Sequence, residues 1–250
     1  GGVGFQQCVA AYALAHVLVG DDGLQGLALD RNFEFCMLQL ESAHVIDDIV
    51  IVGRSHRALI QAKTTVSLSD SNKSVYADVL RQFVQHHTRD AKIGDAYILA
   101  TSTESSRRIV VDLMRLTEAV RLNSQALLDN PLTEAEEEVR DKTRALIFSF
   151  LEANGVAAPS EADFLAVFSR IHVLPLDFNV ARGRDHNAAL MMLRGKSAIE
   201  GSMLWSALIE LCGGLAASRG SIDKNGLMQR LGQYVVSAAR PKTLLDDVAL

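Results

Sequence analysis

The sequence predicts a mixed α/β (α+β) chain: a central mixed sheet flanked by helices, followed by an all-helical C-terminal half. Three observations predict it. An apolar run long enough for a buried helix, "VAAYALAHVLVG" at Val9 to Gly20, is followed by three extended segments between residues 32 and 64. From about Leu132 onward the apolar spacing is helical to the end.

The elements follow in order. A first helix over about Gly4 to Val19 should stop at Gly20, before the turn-rich "GDDG". The extended segments are Asn32–Glu41, Asp47–Gly53 and Ala58–Thr64, joined by "SAHVI" and "RSHR", which are short enough for antiparallel hairpins. The run Ile49-Val50-Ile51-Val52 is apolar on both alternating faces, so helices should cover that strand on both sides. A helix over about Ser74 to Thr88 would put Val75, Val79, Leu80, Phe83 and Val84 inside. Arg81, His86, His87 and Arg89 would then lie towards its far side and end. "DAYILATS" (Asp95–Ser102) reads as a fourth strand, with a helix after it.

Further on, Thr133 with Glu136, and Ser160 with Asp163, have capping-box spacing at helix starts. "LPLDF" near Pro175 could hold a short extended piece. Residues 1–131 are taken as one unit and residues 132–250 as a helical region, which is either separate or the completion of the first.

Composition narrows the function. Of 250 residues, 48% are hydrophobic and 22% charged, which is ordinary usage for a soluble, cytoplasmic-type protein. A net charge of −5 supplies no global field for nucleic acid, so any such contact must be local. Cys8, Cys36 and Cys212 stand far apart with no C-x-x-C pair; buried free thiols are expected. The apolar N-terminal run lacks a basic flank and is shorter than the roughly 20 residues of a membrane span, so no membrane partner is expected. "GGVG" is not followed by G-K-[ST] and does not make a phosphate loop.

The chemistry concentrates in "DDIVIVGRSHRALIQAKTT", Asp47 to Thr65. Residues two apart in a strand share a face, so Gln61 and Lys63 point the same way. Asp48 opens the preceding strand and would lie beside them if the two strands are hairpin neighbours. A carboxylate, an amide oxygen and an ammonium at one sheet edge can carry out metal-dependent phosphodiester hydrolysis. Magnesium takes hard oxygen ligands and keeps several waters, so Asp48 and Gln61 plus a substrate phosphate suffice. Lys63 can orient the attacking water or stabilise charge developing on the phosphate. Basic groups on the next helix, Arg81, His86 and Arg89, are candidate phosphate contacts, and "RGRD" (Arg182–Asp185) is a second basic cluster.

An acid, about a dozen residues, then Q-x-K at the end of an apolar strand resembles the PD-(D/E)xK nuclease superfamily, in the variant with glutamine at the second acid. That variant is typical of Mrr-like restriction endonucleases and of Cap-type double-stranded DNA endonuclease domains of bacterial anti-phage systems. "GFQQ" (Gly4–Gln7) resembles the Gly-aromatic-Gln/Glu signature that begins such domains, and "QLES" before "DDIVI" resembles their strand-borne acid. The resemblance covers about residues 1–125 and implies a restriction-endonuclease-like fold. It also implies Asp48 as metal-binding acid, Gln61 as second ligand and Lys63 as catalytic lysine, with Glu41 and Gln6 auxiliary. Asp47 is the alternative to Asp48, since the family's acid follows an apolar residue. Mg2+, with Mn2+ as substitute, is the cofactor the resemblance implies, and double-stranded DNA the substrate it implies. Cutting both strands implies a homodimer or larger assembly. The helical half is then the place for that contact or for a partner NTPase or sensor. The chain departs from the pattern in having one certain acid, which leaves open a relative that has lost catalysis and serves as a DNA-binding or assembly subunit.

Overall fold

A computed structural model describes residues 2–24, 27, 29, 33–42, 45–46, 48–122, 131–179 and 183–236. The first helix, α1 (Gly2–Val19), is buried almost continuously from Val9 to Leu18, as its uniformly apolar sequence requires. It ends at Gly20, whose φ of +90° is open to glycine without strain and lets the Asp21 amide close back onto the His16 carbonyl at 2.9 Å.

The strands β1 (Phe35–Leu40), β2 (Ile49–Gly53) and β3 (Arg57–Lys63) form the expected antiparallel meander. Helix α2 (Val75–Asp90), capped by the Ser74 side chain on the Ala77 amide, returns the chain so that β4 (Ala96–Ser102) pairs parallel to β3. A π-helical segment, Arg108–Leu113, runs into α3 (Met114–Leu122). Both capping boxes read from the sequence are present: Thr133 with Glu136 starts α4 (Glu134–Ala153), and Ser160 with Asp163 starts α5 (Glu161–Phe168).

The C-terminal half is not all helical. It contributes β5 (Ile171–Leu176), parallel to β4, and β6 (Ser221–Asp223), antiparallel to β1. Residues beyond 132 therefore complete the sheet of the first half, whose strand order is β5-β4-β3-β2-β1-β6. Pro175 lies in β5, the last strand on one edge, where a missing N–H costs least. Helices α6 (Arg184–Arg194), α7 (Gly201–Ser218) and α8 (Lys224–Leu231) complete the chain.

The sheet is covered on both faces. One face, with Ile49, Ile51, Ala58, Ile60 and Ala62, packs against α1, α6, α7 and α8. The other, with Val50, Leu59, Tyr97 and Leu99, packs against α2 to α5. Two expectations about burial need correction. Val75 is 48% exposed, because it is the first helical residue, ahead of the turns that touch the sheet. Cys36 is exposed on β1, while Cys8 is half-buried and only Cys212 fully so; all three thiols are free. No helix among the described residues is long and apolar enough to cross a membrane.

Candidate functional site

Three strand ends and the first turns of α1 meet at one edge of the sheet. Ile49 pairs with Ile60, so extending the antiparallel register by one step sets Asp48 across from Gln61. Asp48 Oδ2 accepts the Ala62 amide at 2.9 Å and Lys63 Nζ at 3.0 Å. The backbone bond orients the carboxylate and the ion pair neutralises it. Both side chains still reach solvent, Asp48 at 15% and Lys63 at 31% exposure.

Gln61 differs from both. It is fully buried, and neither Oε1 nor Nε2 has a hydrogen-bond partner among the described residues. Buried side-chain amides are nearly always paired, and an orphan calls for an occupant such as water or an ion. Beside the Asp48 carboxylate it offers a neutral oxygen, so the donor set fits a hard divalent cation that keeps most of its waters. No group of three or more His, Cys, Asp or Glu side chains converges among the described residues. The set is therefore sparse.

Gln6 reaches in from α1 and ties two strand ends together. Its Nε2 donates to Glu41 Oε1 at 3.0 Å and to the Asp48 carbonyl at 2.8 Å. Glu41 follows β1 with φ +47°, the left-handed region that a non-glycine residue adopts at a cost, and its amide donates to the Asp48 carbonyl at 3.3 Å. Gln6, Glu41, Asp48, Gln61 and Lys63 are thus brought together; Asp47 lies outside the described residues. Loops after β4 and β5 add Ser102, Thr103, Glu104, Asp177 and Phe178, which with Phe5 and Thr64 line a cavity of about 300 Å³ next to Lys63. Sequence reasoning did not reach Asp177 and Phe178, because only pairing with β4 carries β5 to this edge.

The proposed phosphate contacts on α2 do not converge here. The helix leaves the edge bearing Lys63 and ends beside Arg57, whose Nη2 donates to the Asp90 carbonyl at 3.0 Å. Arg57 and Lys63 are the two ends of β3, a seven-residue strand, so the separation is about 20 Å. His86 is fully buried, not surface-facing, with Nε2 at 3.4 Å from Asp95 and 3.5 Å from Arg57. Its spacing from Val79 and Phe83 already places it on the inner stripe of α2. Arg81 pairs with Asp78 at 2.5 Å and lies over the Phe150 ring, while Arg89 is exposed at the far end. Of "RGRD", Arg182 lies outside the described residues and Arg184 pairs with Asp185 at 2.9 Å.

A two-pronged, buried ion pair belongs to this far edge. Arg57 grips Asp95 through Nε at 2.9 Å and Nη2 at 2.6 Å. Burial pushes the Asp95 carboxyl up. The hydrogen bonds from His86, Arg57 and the Lys92 amide outweigh that and hold it well below the usual carboxylate range.

No protein-family model matches the chain, and no curated protein matches it. Solved structures do. A Cap4 SAVED/CARF-domain containing receptor from Acinetobacter baumannii, with the cyclic trinucleotide 2'3'3'-cAAA, superposes with a TM-score of 0.52 at 14% identity, over 93% of this chain and 46% of that one. The same receptor with 3'3'3'-cAAA gives 0.53 at 12% identity, over 93% and 48%. A Cap4 receptor from Moraxella osloensis gives 0.50 at 13%, again over 93% and 48%. The chain thus spans about half the length of these receptors, and at this identity the likeness is one of fold.

Proposed function

We propose that the chain is a metal-dependent nuclease module that hydrolyses DNA phosphodiester bonds, acting as the effector half of a longer receptor in prokaryotic anti-phage defence. The observation that carries the reading is the buried, unpaired Gln61 amide beside the Asp48–Lys63 pair on one strand edge. Asp48 and Gln61 would hold Mg2+ or Mn2+, which when bound would lower the pKa of a coordinated water and draw charge from the phosphate. Asp48 is oriented for this by the Ala62 amide. Lys63 carries the mobile charge: the ammonium that now balances Asp48 is the group that would meet negative charge growing on the phosphate oxygens. Gln6 fixes the Asp48 backbone against Glu41, so it positions and does not react. The Cap4 likeness supports the defence context, in agreement with the Cap-type resemblance of the motif. A cyclic oligonucleotide sensed elsewhere in a longer chain is the fitting trigger.

A second reading is a nuclease-fold subunit that no longer cuts and serves assembly or regulation within such a receptor. The comparisons favour it more directly, since the proteins they name are receptors, and so does the single carboxylate at the buried amide. Supercoiled plasmid, incubated with Mg2+ or Mn2+ and either the wild-type chain or Lys63→Ala, separates the two. Chelator-sensitive nicking that disappears in Lys63→Ala supports the nuclease. Absence of cleavage, together with no thermal shift on adding either metal, supports the silent subunit.

A further inference from the structure

At the edge of the sheet opposite Lys63, a cavity of about 430 Å³ opens between the starts of β3, β4 and β5 and the end of α3. Arg57, Arg121, Arg170, His56 and His172 line it, and Leu29, Phe33 and Leu122 give it an apolar wall. Asp95, the one acid among the described residues of the lining, is 4% exposed, and its oxygens are already taken by Arg57, the Lys92 amide and His86.

The cations are less well matched than the acid. Arg170 has no carboxylate partner among the described residues; its Nη1 donates to the Lys92 carbonyl at 2.8 Å and its guanidinium lies over the Tyr97 ring. Among the described residues Arg121 has one carboxylate partner, Glu118, at 3.9 Å. Among the described residues, three guanidiniums face one spent carboxylate, one loosely held glutamate and the exposed Asp90 beside Arg57, a cation-rich lining in a chain whose net charge is −5. Guanidinium forks match the oxygens of a phosphate group, and the apolar wall suits a flat or ring-bearing moiety beside it. The volume is that of a small-molecule site.

We propose that this pocket binds a phosphate-bearing anion, with Arg121 and Arg170 as its principal ligands and Arg57, tied to Asp95, as a fixed cationic floor. It lies about 20 Å from Lys63 along β3, so it is a second site that does not depend on the nuclease reading. The phosphate could come from a free nucleotide or from a nucleic-acid strand.

Calorimetric titration of the full chain in chelator, with pyrophosphate, adenosine monophosphate and a short single-stranded oligonucleotide, tests it. At least one should bind, weaken as salt is raised, and lose about tenfold or more in affinity in the Arg121→Gln/Arg170→Gln double variant. Arg230→Gln, which removes an exposed guanidinium of α8 outside this cavity, should bind as the wild type does. Which of the three binds identifies the source of the phosphate. Silence from all three up to millimolar concentration overturns the proposal. Binding that survives the double variant, or that is lost equally in Arg230→Gln, overturns it as well. The double variant's melting temperature, unchanged from wild type, guards against misreading an unfolded chain, and Arg57 is left alone for that reason.

Discussion

Asp48 and Lys63 share one carboxylate oxygen with a backbone amide: Oδ2 meets Lys63 Nζ at 3.0 Å and the Ala62 N–H at 2.9 Å. The lysine is thereby paired within the strand edge that would take a cation. Replacing Asp48 by Asn keeps an acceptor for the Ala62 amide but removes the charge that Lys63 balances. The fold should survive, with a melting temperature within a few degrees of wild type. Thermal stabilisation by Mn2+ should disappear, and plasmid cleavage should fall at least about a hundredfold. Retained metal stabilisation in Asp48→Asn would show that the ion binds elsewhere.

Gln61 offers a test in which stability and activity move in opposite directions. Its amide is buried without a partner, and such a group costs about 1–3 kcal/mol. Gln61→Met has similar volume and no amide. In chelator it should unfold at a higher urea midpoint than wild type, while losing metal-dependent stabilisation and cleavage. A lower midpoint in chelator would mean that the amide is satisfied in solution.

The Arg57–Asp95 pair should govern acid stability. Asp95 titrates below its ordinary value near 3.8, so its contribution is present above that value and is lost as pH falls through the lower folded-state value. Urea unfolding of wild type and Asp95→Asn should differ fully at pH 5 to 7, and the gap should begin to narrow only as pH falls below about 4. Arg57→Ala strands a buried carboxylate and should cost about 3–5 kcal/mol at neutral pH. A pH-independent difference between wild type and Asp95→Asn would rule out this account.

Thr133 supplies a smaller effect with a single cause. Its hydroxyl oxygen accepts the Glu136 amide at the start of α4, while the Thr133 N–H and hydroxyl both donate to the Glu136 carboxylate and hold it below its usual range. Thr133→Ala should lower stability by about 1 kcal/mol without altering metal response. A loss several times larger would mean that the cap also anchors α4 to its neighbours.

Much of this architecture is written in local pattern. The uniformly apolar run of α1, the two-sided apolar strand at Ile49–Val52 and both capping boxes are properties of short segments, so reading them needs no partner. The Asp48, Gln61, Lys63 grouping was legible for the same reason, since a hairpin and a two-residue strand period are enough to place those side chains together. Pairing across long separations was not. β5 carries Pro175 and β6 has only three residues, and their partners in β4 and β1 make them strands. His86 shows the same limit, because whether a polar residue on a helix faces solvent or core depends on Arg57 and Asp95 arriving from β3 and from just ahead of β4. Local pattern was enough for the first helix, the first four strands and the capped helices, and for which residue types could do chemistry. Among the described residues, tertiary structure decided that the buried Gln61 amide has no partner and that Arg170 has no acid, because hydrogen-bond and charge satisfaction are settled between elements and not within them.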